Sequence, residues 1–287
     1  MSTRLAVAPQ YLLPKRLLTQ VMGLLARWHG GAITRWAIRK FIARYKVNMA
    51  EAADPRVESY ATFNEFFTRP LRPGTRTIAD APFVCPVDAA ISQFGPIEHD
   101  QIFQAKGHSY STRALVGGDA QLAQQFDHGH FATLYLAPKD YHRIHMPCDG
   151  VLKRMIYVPG DLFSVNPLTA RHVPGLFARN ERVVCVFDTE YGPFVNVLVG
   201  ATIVGSMATV WHGVVNPPRT GHVREWRYDG KDIRLAKGDE MGRFLLGSTV
   251  VMLFPQNVVT FNADWAPTHP VKLGEAMATF AGAESVI

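Results

Sequence analysis

A chain of 287 residues, 47% hydrophobic and 19% charged, can bury one sizeable core and is too apolar to be a disordered segment. Its three cysteines, Cys85, Cys148 and Cys185, are odd in number and widely spaced, which argues against a disulfide framework and for a reducing compartment. The net charge of +6 is all N-terminal: residues 1–50 carry nine of the 30 Lys/Arg and no acid, leaving 21 bases against 24 acids in the rest. That asymmetry predicts a segment for an anionic partner, attached to a mildly acidic body.

In chain order, the first pattern starts at Pro14. Leu17, Leu18, Val21, Leu24, Leu25 and Trp28 recur at helical spacing, with Arg16, Gln20, Gly23 and Arg27 on the other face. Gly30-Gly31 ends this helix. A second helix is expected from Ile33, Trp36, Ala37, Phe41 and Tyr45, ending near Val47-Asn48. Each is about 15 residues or roughly 22 Å long, short of a bilayer core of about 30 Å. Basic residues beside Trp, Phe and Leu fit helices lying in the interface of an anionic membrane; a plain surface helix pair is the competing reading. The apolar stripe offers no stacking platform, so nucleic acid is not an expected partner, and the charged amphipathic pattern is not that of a signal peptide.

Residues 1–50 are thus expected to form a membrane-associating segment and residues 51–287 the body. The body opens with a short helix within residues 60–73, capped by Thr62 with Glu65 three residues on and closed by Pro70 and Pro73. From Phe83 the texture turns to strands and turns. Asp88 is the one acid in Val84–Ser92; it reads as a turn residue or as the buried partner of a base. In Ala137-Pro138-Lys139-Asp140-Tyr141-His142-Arg143-Ile144-His145-Met146-Pro147 an apolar strand leads through a turn to two histidines three apart. Catalysis, a metal site and structural histidines are all open there. The metal reading is the weakest, because the zincin Glu is missing and the prolines leave little room for a helix. Residues 191–218 hold no charged side chain, yet Val, Thr and the breaks at Gly200, Gly205 and Gly213 make them buried strands rather than a membrane span. Gly221–Asp232 reads as a polar hairpin, and the last 30 residues as strands and turns. The fold class is therefore α+β: a β-rich antiparallel body with an N-terminal amphipathic helical segment.

Near the C-terminal end, Leu246-Gly247-Ser248-Thr249 places a Gly-Ser step between two apolar runs. Alone it is a turn. Beside Asp88 and the His142–His145 segment it becomes interesting, since an acid and an imidazole are what a reactive serine needs.

These pieces resemble the bacterial phosphatidylserine decarboxylases over nearly the whole chain. The resemblance rests on Leu246-Gly247-Ser248-Thr249, on Ala137–Pro147, and on Tyr157-Val158-Pro159-Gly160-Asp161-Leu162-Phe163-Ser164-Val165-Asn166. Phe177-Ala178-Arg179-Asn180-Glu181-Arg182, Val199–Ser206 and Phe63–Phe67 add to it. Val87-Asp88-Ala89 departs from the Ala-Asp-Gly more frequent in the family but keeps the acid. The resemblance implies a self-cleaving zymogen, cut between Gly247 and Ser248 into a large (1–247) and a small (248–287) subunit. Asp88, His145 and Ser248 would be the processing triad, with Asp88 orienting the His145 imidazole. Ser248 would become a pyruvoyl group, the covalent cofactor, which binds the amine of phosphatidylserine as a Schiff base and accepts the electrons left by CO2. His142 is a candidate acid or substrate-positioning group, and Ser164 and Asn166 candidates for the lining. No metal is implied. The implied setting is peripheral, on the cytoplasmic side of the cell membrane, with the subunits assembling further as a homodimer of heterodimers. The alternative is a serine hydrolase using Asp88, His145 and Ser248, although no Gly-x-Ser-x-Gly elbow supports it. A non-catalytic membrane-binding module and a decarboxylase of a soluble amine are further alternatives.

Overall fold

The computed structural model describes residues 7–202, 206–216, 219–246 and 248–282, with Ser248 described by its backbone alone. In chain order the helices are α1 (Pro9–Leu12), α2 (Lys15–Arg27), α3 (Ala32–Tyr45), α4 (Phe63–Phe67), α5 (Thr112–Leu115), α6 (Ala120–Gln124), α7 (Pro167–Ala170) and α8 (Leu176–Arg179). The strands are β1 (Phe83–Val84), β2 (Ala89–Pro96), β3 (Gln101–Ala105), β4 (His108–Ser111), β5 (His130–Leu136), β6 (Arg143–His145), β7 (Gly150–Val158), β8 (Arg182–Thr189) and β9 (Gly192–Val199). They continue with β10 (Met207–Thr209), β11 (Gly213–Val214), β12 (Arg224–Arg227), β13 (Arg234–Leu235), β14 (Glu240–Phe244), β15 (Ser248–Phe254), β16 (Val259–Phe261), β17 (Pro270–Val271) and β18 (Ala276–Phe280).

The centre is a nine-stranded sheet in the order β12-β7-β8-β9-β15-β5-β2-β17, with β13 also on β7. The pairs within it are antiparallel, as a β-rich α+β body requires. β15 lies between β9 and β5, and its side chains alternate between two cores. Val250, Met252 and Phe254 join Leu134, Leu136, Cys185, Phe187 and Leu198 on one face, covered by the four-stranded sheet β11-β10-β14-β6 and the three-stranded sheet β1-β18-β16. Val251 and Leu253 join Phe131, Val184, Val186, Val195 and Val197 on the other, covered by the short helices and the β3–β4 hairpin. Burial on both faces is why the strand Gly192–Val199 carries no charge. The three cysteines are buried and free, each thiol pushed up by burial, Cys148 to about 12.

The expected N-terminal helices form, preceded by the short α1. α2 buries only Thr19 and Ala26 and leaves Leu17, Leu24 and Leu25 more than half exposed. α3 turns Ile38, Phe41 and Ile42 inward onto α4 and leaves Ile33 and Trp36 outside, so its expected single stripe is split between two surroundings. Lys46 ends α3 in the left-handed conformation. At α4, Thr62 Oγ1 accepts from the Glu65 amide at 3.1 Å. The Glu65 carboxylate accepts from Ala61 N, one residue before the cap.

The expected Gly221–Asp232 hairpin does not form. β12 and β13 both pair with β7, at Arg154–Tyr157 and at Gly150–Val151, so they make one interrupted edge strand. Their polar side chains reflect an exposed edge, which alternation alone does not distinguish from a hairpin. No helix among the described residues is long and apolar enough to cross a membrane.

Candidate active site

Two segments cross side by side from the large sheet to the small one. The first leaves β5 at Leu136, turns through Ala137–His142 and enters β6. Asp140 shapes that turn: its carboxylate accepts from Ala137 N at 2.7 Å while its amide donates to the Ala137 carbonyl at 2.9 Å. The second segment leaves β14 at Phe244 and enters β15 at Ser248. Register ties the two at both ends. Ser248 faces Leu136 in the large sheet, and Glu240 faces His145 in the small one. Between them the Phe244 amide donates to the His142 carbonyl at 3.0 Å. β14 also runs against β10 at Gly242, where a Cβ would stand 2.5 Å from the Ala208 carbonyl. The topology thus brings the start of β15 beside the His142–His145 segment. Gly247 and the Ser248 side chain lie outside the described residues.

The His145 imidazole is held on both sides. Nδ1 lies 2.8 Å from the Gly238 carbonyl. A carbonyl can only accept, so Nδ1 carries the proton and Nε2 presents the lone pair. Nε2 is 3.2 Å from the Tyr141 hydroxyl, which donates to it. Burial pushes the His145 pKa down, against the opposing Gly238 carbonyl and Glu240 charge. His145 is therefore a neutral imidazole with its basic nitrogen turned to Tyr141. Gly238 has φ +87°, a conformation that glycine adopts without strain and that aims this carbonyl. Burial likewise raises the Tyr141 hydroxyl to about 12.

Asp88 is 2% exposed, so it is the buried acid of the two sequence readings, but its partners are cations. Arg76 donates to both its oxygens, at 3.0 and 2.5 Å. Lys272 Nζ and the Leu273 amide add bonds at 3.1 and 3.0 Å. Burial opposes ionisation, yet the Arg76 hydrogen bonds, the Leu273 amide and the Lys272 charge outweigh it and set the pKa below the usual carboxylate value. Among the described residues Asp88 makes no hydrogen bond to His145. The expected orienting bond is replaced by the Gly238 carbonyl, because four donors already occupy the carboxylate. The two segments still touch, through the His145 amide and the Pro86 carbonyl at 2.9 Å.

His142 is fully buried and stacks on Phe67 of α4, with ring centroids 4.1 Å apart. Neither ring nitrogen has a hydrogen-bond partner among the described residues. Burial, reinforced by the Arg69 charge, takes its pKa down to about 3, so the ring is neutral. Ser164 and Asn166 sit farther along, under α1. The Ser164 amide donates to Gln10 Oε1 at 2.9 Å, and Asn166 Oδ1 caps α7 by accepting from Thr169 N at 2.8 Å. Asn166 thus has a structural task. A cavity of about 640 Å³ opens beside the turn, with Asp88, Tyr141, Lys46, Lys139, Arg171 and Lys272 in its wall.

Tyr141, Gly238, Arg76 and Lys272 carry this geometry, and sequence reasoning assigned none of them a role. Tyr141 stands inside the quoted motif next to His142, and Lys272 lies in the last 30 residues, which read only as strands and turns. Arg76 is twelve residues from Asp88 and carried no signal.

Fold and site together define an α+β protein with a neutral, oriented histidine at a double crossing between two sheets. The family model described as phosphatidylserine decarboxylase matches residues 63–279, and a second, described only as PSD, matches residues 5–46. The chain belongs to the phosphatidylserine decarboxylase family. It is 69% identical over 277 residues to the phosphatidylserine decarboxylase proenzyme of Dechloromonas aromatica (strain RCB), covering 96% of this chain and 98% of that one. It is 70% identical over 281 residues to the proenzyme of the same name from Variovorax paradoxus (strain S110), covering 98% and 99%. A third relative, from Azoarcus sp. (strain BH72), is 70% identical over 277 residues, covering 96% of each chain.

Proposed function

We infer that this chain is a phosphatidylserine decarboxylase proenzyme: it processes itself and then converts phosphatidylserine to phosphatidylethanolamine and CO2. The observation that carries the site reading is His145. Its Nδ1 proton is fixed on a backbone carbonyl and its Nε2 lone pair, which accepts from the Tyr141 hydroxyl, is the basic position, on a strand tied to the segment that leads into Ser248.

For self-processing, His145 Nε2 takes the Ser248 hydroxyl proton as the oxygen attacks the Gly247 carbonyl carbon. The Gly247–Ser248 amide bond breaks and an ester forms. Loss of a proton from the Ser248 Cα then expels Gly247 as a carboxylate. The remaining dehydroalanine takes up water and releases ammonia, which leaves a pyruvoyl group at position 248. Asp88 serves as the buried charge that holds Arg76, Lys272 and the Leu273 amide together. The pyruvoyl group supplies the electron sink for the departing carboxylate. The residues present fit such a group. Neither His142 ring nitrogen has a geometric hydrogen-bond partner among the described residues, and being neutral the ring acts by hydrogen bonding to substrate rather than as an imidazolium acid. Ser164 remains a candidate for the lining.

The exposed apolar side chains of α2 and α3 and the nine basic residues of the first fifty support a peripheral seat on the anionic, cytoplasmic face of the cell membrane. On this reading residues 1–50 are the docking segment and 51–287 the catalytic body, and pairs of subunits assemble as a homodimer of heterodimers. The activity is tested by incubating purified protein with phosphatidylserine in neutral detergent micelles. Phosphatidylethanolamine and CO2 in equal amounts are expected; release of free serine or of fatty acid would mark a hydrolase instead.

A further inference from the structure

A second cavity, of about 300 Å³, lies against the second crossing segment at Leu245 and Leu246. Leu24 and Arg27 of α2 form one wall, Asn64 of α4 a second, and Arg219 with Leu245 and Leu246 a third. Leu246 is the last described residue before Ser248. Leu24 is 66% exposed and belongs to the apolar face of α2. The cavity therefore spans from the face offered to lipid to Leu246, two residues before position 248. Two guanidinium groups line it, and no acidic side chain does so among the described residues.

Arg219 is held from behind. Glu181, 2% exposed, accepts from Arg219 Nε at 2.9 Å and from the Tyr157 hydroxyl at 3.0 Å, and it also binds Asn216 Nδ2. Asn216 Oδ1 in turn accepts from Met207 N at 2.9 Å, and the neighbouring Ser206 carbonyl accepts from Leu245 N at 2.9 Å. One buried network thus fixes both the plane of the Arg219 guanidinium and the backbone leading to Ser248. Arg27 Nε is tied to the Gly23 carbonyl at 3.0 Å, within its own helix.

We propose that this cavity binds the phosphodiester of the phospholipid headgroup, between Arg27 and Arg219. A phospholipid whose amine reaches position 248 while its acyl chains stay at the α2 face must place its one phosphate between the two. The cavity occupies that interval, and guanidinium forks match phosphate oxygens with charge-assisted hydrogen bonds. The Glu181 network makes Arg219 the preorganised half of the site, and Arg27, on the lipid-facing helix, closes it from the membrane side.

The inference rests on the proposed function, and its test separates the two. Full-length, self-processed protein is assayed in neutral detergent micelles with two soluble competitors, glycerophosphoserine and serine methyl ester. Both carry the amine; only the first carries the phosphodiester. Arg27→Gln, at an exposed position, and Arg219→Lys, which keeps a cation for Glu181, are each expected to weaken inhibition by glycerophosphoserine about tenfold, a loss of about 1.4 kcal/mol. Inhibition by serine methyl ester should stay within about twofold, and inorganic phosphate should relieve binding of the first competitor only. Equal inhibition of wild type and Arg27→Gln by glycerophosphoserine overturns the site, as does equal weakening of both competitors. A wild-type chain that neither cleaves nor decarboxylates overturns the functional reading itself, and the site with it.

Discussion

At the scale of single residues, the site depends on which groups are neutral. Burial pushes the His142 pKa down to about 3 in the folded protein, against about 6.5 in an unfolded chain. Below pH 6.5 the unfolded state therefore binds a proton that the folded state refuses. Stability is lost as pH falls, by up to about 1.4 kcal/mol per unit and roughly 2 kcal/mol by pH 5. Urea midpoints at pH 7 and pH 5 should show a shallower fall in His142→Ala than in wild type; equal slopes would contradict the buried neutral ring. The same variant should cleave itself normally and turn over about 10²-fold more slowly. Asp88 has the same sense at lower pH. Its depressed pKa stabilises the fold above the unfolded value of about 3.9, and that contribution is lost as pH falls through the lower folded value. The acid and the histidines proposed for the site, Asp88, His142 and His145, could be named from the sequence. Their partners were not, because Arg76, Lys272 and Gly238 reach Asp88 and His145 through the tertiary fold, and no local spacing encodes those contacts.

At the scale of elements, helix periodicity located α2 and α3 well, and the capping box located α4. What periodicity could not divide was the apolar face of α3. Ile38 and Phe41 pack on Phe66 and Phe67, whereas Ile33 and Trp36 stay outside, and all are equally apolar in sequence. The short α1 was invisible for a different reason: four residues are too few to show a period. It is held by Tyr11 against Phe163 and by Gln10 on Ser164 and Thr169. The split also decides how membrane docking should be tested. Removing residues 1–46 would strip Ile38 from the body's own core, so surface changes are cleaner. Leu17→Ser, Leu24→Ser and Trp36→Ser together should leave the urea midpoint nearly unchanged and release the protein from vesicles containing anionic lipid in a flotation assay. Retention on those vesicles would contradict an interfacial role for these helices.

At the scale of the whole molecule, the proposed cut falls at the N-terminal end of a central strand. β15 pairs with β9 and β5 along its length and sends side chains into both cores. Farther on, β17 pairs with β2, and Lys272 and Leu273 hold Asp88. A 248–287 fragment would thus remain locked into the 1–247 fragment without a covalent bond, and the two should elute together in size-exclusion chromatography and separate only in denaturant. The broad architecture, a β-rich antiparallel body with charge-free buried strands, could be read from the sequence because burial on both faces leaves a plain compositional mark. The strand order could not, since β5 and β15 meet across more than a hundred residues and β12 and β13 share one partner rather than pairing with each other. The central claim is self-cleavage at Gly247–Ser248, and the mass of the purified, denatured protein tests it most directly. The account predicts two species matching residues 1–247 and 248–287, the smaller blocked at its N-terminus, and a single intact chain in Ser248→Ala. A wild-type protein that keeps the single mass of 31.9 kDa and a serine at position 248 would contradict it.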